Sequence, residues 1–173
     1  MPIVPFHELP NSARVWVFGS EQPLVGAAAD TLLASVDQFL SEWRAHGMPL
    51  RSARDWREDR FLAVGVDVDE EAASGCSIDG LFRTLQQLER VIGSRMVGGG
   101  RVFYRDDGIV ETTTREEFIA RVRSGRIGRD TPVFDTGITG AADWRNRFEE
   151  PASEGWAARY FREEGRGKRE EGG

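Results

Sequence analysis

Residues Ala13 to Ser20 read ARVWVFGS, a β-branched and aromatic run closed by Gly19. From Pro23 to His46 the apolar residues fall instead at spacings of three and four. This switch from the period of a strand to the period of a helix recurs in a fixed order along the chain, and few folds accept that order. Val25, Ala29, Leu32, Val36, Phe39 and Trp43 make one helical face, and Gly47 supplies its stop. Met48 to Trp56 (MPLRSARDW) and Arg60 to Val68 (RFLAVGVDV) predict two strands, the first more polar and at an edge, the second buried. The short RED between them predicts a hairpin. Ser77 to Ile92 returns to the helical period, with Ile78, Leu81, Phe82, Leu85, Leu88 and Ile92 on one face and Gly93 at its end. RVFYR and IVETT then flank DDG, where Asp-Gly tolerates the positive φ of a tight hairpin. Thr114 to Glu117 (TREE) is a capping box for a short helix that stops near Ser124 and Gly125.

The order β-α-β-β-α-β predicts an α+β ferredoxin-like sandwich, with antiparallel sheet order 4-1-3-2 and both helices on one face. An extra strand, a helix and an aromatic segment follow it. The first strand is apolar on both sides, with Val15 and Val17 on one and Trp16 and Phe18 on the other. If the helices cover one face, something must cover the second. Trp144, Phe148, Trp156, Tyr160 and Phe161 are the aromatics available for that. The expected organisation is one domain over 1–161, with a core at 13–125 and an aromatic extension at 126–161. Residues 162–173 hold eight charged residues and four glycines, too little apolar surface to offset ordering, and predict a disordered tail.

With 39% hydrophobic and 30% charged residues, the 173-residue chain has the balance of a soluble globular domain. Its net charge of −6 makes it a poor binder of phosphate backbones or anionic membranes. The N-terminal MPIVPFHELP has no basic region and no apolar run of signal length, and no stretch approaches a membrane span. A single cysteine forms no internal disulfide, which agrees with a reducing, cytoplasmic location. His7, His46 and Cys76 match no metal-ligand spacing, and no cofactor is implied.

Taken together, LPNSARVWVF, EWRAHG, ASGCSID and RVFYRD resemble an uncharacterised family of small bacterial proteins, some described as ABC transporter ATPases. The resemblance covers about residues 9 to 125 and brings no catalytic residues with it. A P-loop needs G-x-x-x-x-G-K-[ST] between strand and helix, so that backbone N–H groups and a lysine cradle the phosphates. The only lysine is Lys168, in the tail, and the Gly-rich GSRMVGGGRVF precedes a strand. ATPase activity does not fit these residues.

Three functional readings follow. In the first, the chain is a binding or interaction module for a small ligand or a protein. Its site is the helix start Ser74, Gly75, Cys76, Ser77 and Asp79, whose free backbone N–H groups suit an anion. In the second, Cys76 beside the positive helix end is a nucleophile for acyl or thiol transfer. The 4-1-3-2 topology would bring His46, Asp106 and Asp107 to the same end of the sheet. The same residues also have ordinary uses: cysteine packs as a small hydrophobe, the serines suit helix starts, and a His before a helix-ending glycine complements the dipole. The third reading is RNA binding, since RNA-recognition domains share this element order. Their stacking aromatics on the third strand are here Leu62 and Val64, which do not stack bases, and this speaks against nucleic acid as a partner.

Overall fold

The computed structural model of the protein describes residues 3–45, 47–67 and 75–162, with 75–77 described by their backbone alone. The chain forms two units: Met1–Gly99 with Thr136–Arg145, and Gly100–Asp135 with the segment that begins at Asn146. The tail expected from 162 lies, from 163 onward, outside the described residues.

The first unit carries β1 (Arg14–Gly19), α1 (Ala27–Glu42), the short hairpin β2 (Arg44–Ala45) and β3 (Met48–Pro49), then β4 (Ser52–Arg57), β5 (Phe61–Val66) and α2 (Gly75–Ile92). Strands β1, β5 and β4 form an antiparallel sheet in that order, with β5 central. The six residues of β5 are all buried, as expected of a strand covered on both faces. α1 stops at Glu42, four residues short of the expected end, because Trp43 adopts an extended conformation and the chain enters β2. Glu58 and Asp59 turn the β4–β5 hairpin with φ of 59° and 54°. Non-glycine residues occupy this left-handed turn because it matches the twist of the flanking strands.

Even-numbered β1 residues face the helices. Trp16 packs on Trp43 at 6.1 Å between ring centroids, and Phe18 meets Phe82 of α2 edge-on at 5.4 Å. Leu62, Val64 and Val66 of β5 join the same core, with Leu32, Val36 and Leu40 of α1 and Leu81 and Leu85 of α2. Arg54, on this face of β4, grips Asp37 of α1 through two hydrogen bonds of 2.8 and 3.0 Å. Trp16 and Phe18 therefore need no cover from the C-terminal aromatics. The sequence pattern was degenerate at this point, since both faces of β1 are apolar.

The opposite face of the sheet holds Val15, Val17, Ala53, Ala63 and Gly65. Phe6, which opens the helical turn Phe6–Glu8, and Leu9, which follows it, approach Gly65, and Trp144 packs edge-on against Phe6 at 6.5 Å. Trp144, one of the expected aromatics, reaches this sheet face. It lies on a short helix, α4 (Ala141–Asn146 by its backbone), whose Arg145 holds the N-terminal turn through the carbonyls of Phe6 (3.0 Å) and Leu9 (2.6 Å).

The second unit carries β6 (Arg101–Asp106), β7 (Ile109–Thr114), α3 (Arg115–Arg123), β8 (Pro132–Phe134) and β9 (Glu149–Pro151). Its antiparallel sheet runs β7-β6-β8-β9. Asp107 and Gly108 turn the β6–β7 hairpin with φ of 50° and 78°, as Asp-Gly predicts. Thr114 caps α3 by accepting from the Glu117 N–H at 3.2 Å. Tyr104, Phe118, Val122, Ile127, Val133 and Phe161 are buried together, with Trp156 and Tyr160 packed against them. The Phe148 ring packs tilted against Phe134 at 5.4 Å between centroids. So Trp156, Tyr160 and Phe161 complete this unit's own core.

The architecture is thus α+β with antiparallel sheets, and the first sheet keeps the 1-3-2 part of the expected order. The fourth strand departs from 4-1-3-2, because β6 pairs with β7 and β8 and not with β1. Two causes are visible. β6 has a partner only a two-residue turn away, whose closure costs little. And part of the β1 edge is already used: the Val15 N–H donates to Thr139 O (2.9 Å), and the Ala141 N–H to Ala13 O (3.0 Å).

Candidate functional site

The expected helix-start site falls largely where nothing is described. Ser74 and His46 lie outside the described residues, and so do the side chains of Cys76 and Ser77. The backbone shows that α2 begins at Gly75, two residues before the expected start. Asp79 consequently sits beyond the first turn, where the dipole has fallen off, and its side chain is exposed. Asp106 and Asp107, expected on the first sheet, lie instead on the β6–β7 hairpin of the second, and Asp106 pairs with Arg126 at 3.8 Å. The single-sheet argument for bringing them to Cys76 does not hold in this topology.

Leu62 and Val64 point into the helix-covered core, and the opposite face is occupied by Phe6, Leu9 and Trp144.

The first unit does build a cleft of about 400 Å³ between the exposed sides of α1 and α2, bordered by Phe39, Leu88 and Val91. A second cleft, of about 320 Å³, runs along the outer edge of β1. Val15 to Phe18 form its floor, Phe82, Met96, Val97 and Gly98 one wall, and Thr136 to Thr139 the other. It occupies the side of β1 where the expected fourth strand would lie.

The wall at Met96 is held firmly. The Glu89 carboxylate accepts from the N–H groups of Met96 (2.7 Å) and Val97 (3.4 Å). Ser94 Oγ bonds Ser20 Oγ at 2.6 Å and accepts from the Gln22 N–H at 2.9 Å. Arg60, nearly buried, donates to the carbonyls of Ser20 (3.2 Å) and Glu21 (2.8 Å). The Glu21 N–H donates to Arg95 O at 3.0 Å. A polar network thus fixes an apolar rim.

The backbone along the floor alternates. Val15 directs its N–H outward to Thr139, while Ser20 directs its own to Arg60 O on the β5 side (2.7 Å). Odd-numbered residues of β1 therefore present their polar groups to the cleft, and even-numbered ones bond β5. Arg14 stands beside the floor with its guanidinium over the Trp16 ring, 5.3 Å from the centroid.

The sequence pattern puts Phe82 on a core helix face, where it packs, and assigns no role to Met96 and Val97. The available signal was the edge of β1 itself, which needs either a partner or a blocking feature. Compared with protein-family models, curated proteins and solved structures, the chain matches none. Among the described residues, no helix is long and apolar enough to cross a membrane.

Proposed function

We propose that the protein is a small binding module that takes an apolar ligand group into the cleft along β1. The observation behind this reading is a wall of Phe82, Met96 and Val97 pinned by the Glu89 carboxylate and the Ser20–Ser94 pair. An apolar cleft lined by fixed walls and a few oriented polar groups is the usual form of a recognition site. The Ser74–Asp79 helix start and the Cys76–His46 alternative rest mostly on side chains outside those described. The cleft rests on described side chains throughout, and we take it as the site.

Methyl NMR tests the reading directly, because the chain has three methionines. Met96 lines the cleft, whereas Met48 is 59% exposed on β3. Titrating ¹³C-methyl-methionine protein with a library of apolar and aromatic fragments should shift Met96 saturably and leave Met48 in place. Fragments that move both methyls equally, or neither, would remove the cleft as the binding site.

A further inference from the structure

Resting on that reading of the cleft, we infer that its occupant is an extended peptide segment that adds as a strand to β1, with an acidic side chain beside Arg14. At one end of the β1 edge the Val15 N–H is taken by Thr139, and at the other the Glu21 N–H is taken by Arg95. Between them the N–H and carbonyl groups of Val17 and Gly19, both half-buried, face outward, and they have no partner among the described residues. An edge of this kind is normally blunted by a charge, a proline, a bulge or a covering segment. The run Val15-Trp16-Val17-Phe18-Gly19 has none of the first two, and its register with β5 is continuous.

A peptide residue opposite Val17 would exchange two backbone hydrogen bonds with it. Its neighbours would project on the side of Trp16 and Phe18, next to Phe82 and Met96. Main-chain bonds then give affinity and the alternate side chains give selectivity, as in strand addition generally. Arg14 adds the charge preference. It is exposed, lies on the Trp16 ring at the rim, and has no carboxylate partner among the described residues. A second copy of the chain fits less well. Pairing over Val15–Gly19 covers roughly 17 Å of strand, far too little for the ~800 Å² per partner of a stable dimer.

The probe is a library of blocked hexapeptides with apolar residues at alternate positions, half of them ending in aspartate. Binding is read by the Met96 methyl and by fluorescence anisotropy. We expect hits whose affinity falls about tenfold when the amide opposite Val17 is N-methylated, and is unchanged by methylation one residue along. Val17→Pro should fold, since it removes an outward N–H and no bond to β5, and it should lose the same affinity. Arg14→Ala should weaken the aspartate peptides several-fold and spare the rest. If Val17→Pro does not fold, the N-methyl series on the unaltered protein decides the matter. Hits indifferent to N-methylation, or no hits while apolar fragments still shift Met96, would overturn strand addition and leave the cleft reading intact. Silence from both peptides and fragments would overturn both. A dimer in sedimentation that Val17→Pro dissolves would assign the edge to a second copy and refute the peptide.

Discussion

The indole N–H of Trp144 donates to Asp55 Oδ2 at 2.9 Å, joining α4 to β4 across 89 positions of sequence. Arg57 completes the cluster. Its guanidinium lies 4.2 Å from the Trp144 ring centroid, donates to the Trp144 carbonyl at 3.0 Å, and bonds Asp55 at 3.2 Å. Trp144 is fully buried, and Asp55, whose side chain is one-third exposed, is the acceptor of its N–H. Asp55→Ala should therefore destabilise by about 1–3 kcal/mol, the cost of a buried donor without an acceptor. In a Trp144→Phe background the same change should cost distinctly less, because the donor is gone. Urea melts of the four proteins give the coupling. Equal costs in both backgrounds would mean that this bond contributes nothing to seating α4.

Local elements were legible in the sequence wherever one face was apolar and the other polar. α2 shows this with Leu81 and Leu85 buried, and the β6–β7 hairpin shows it through Asp107-Gly108. Long-range pairing was not legible. β6 has apolar residues at 102, 103 and 104, and nothing in that run says which edge it will join. β1 is apolar on both sides, so its pattern fits Trp16 facing the helices as well as Trp16 facing away. The cover of the second face comes partly from Phe6 and Leu9, a segment with no periodicity of its own. The candidate cleft was hidden for the same reason. It exists because the edge of β1 took Thr139 and Gly140 at one end and no full strand, an outcome decided by residues more than a hundred positions away.

Tyr160 gives a pH-dependent test of the second unit. Its hydroxyl accepts from Arg115 at 3.0 Å and from Arg159 at 2.8 Å. Partial burial pushes its ionisation upward, but the hydrogen bonds and charges of the two guanidinium groups outweigh this, and the phenol ionises below its ordinary value of 10.0. The unfolded chain then holds the proton at pH values where the folded chain has released it. The associated stability grows as pH rises through the folded pKa, is complete above the unfolded value near 10, and is lost as pH falls back through the folded pKa. Ultraviolet titration of Tyr104→Phe protein isolates this phenol, since the chain has two tyrosines. Arg115→Gln and Arg159→Gln should each raise the midpoint. A midpoint that neither substitution moves would show that the two arginines do not hold the phenolate.

Gly65 is placed at the centre of the first sheet, opposite Val15 on one side and Ala53 on the other. A glycine in a buried central strand is usually a weak point, and alanine there would ordinarily lower the entropy lost on folding. Here a Cβ would stand 2.6 Å from Leu9 Cδ1 and 3.2 Å from Phe6 Cε2. Leu9 is 2% exposed and its carbonyl is bound by Arg145, so it has little room to retreat. Gly65→Ala should accordingly destabilise by about 1–3 kcal/mol through overpacking. Leu9→Ala alone should cost about 2–5 kcal/mol by leaving a cavity. The two changes relieve each other: the new methyl enters the space that the leucine leaves. The double variant should be more stable than the sum of the single effects predicts, by about 1 kcal/mol or more. Thermal melts of the three variants against the unaltered protein measure it. Strict additivity, or a Gly65→Ala variant as stable as the parent, would show that Leu9 moves freely and that the N-terminal turn is not pressed against the sheet.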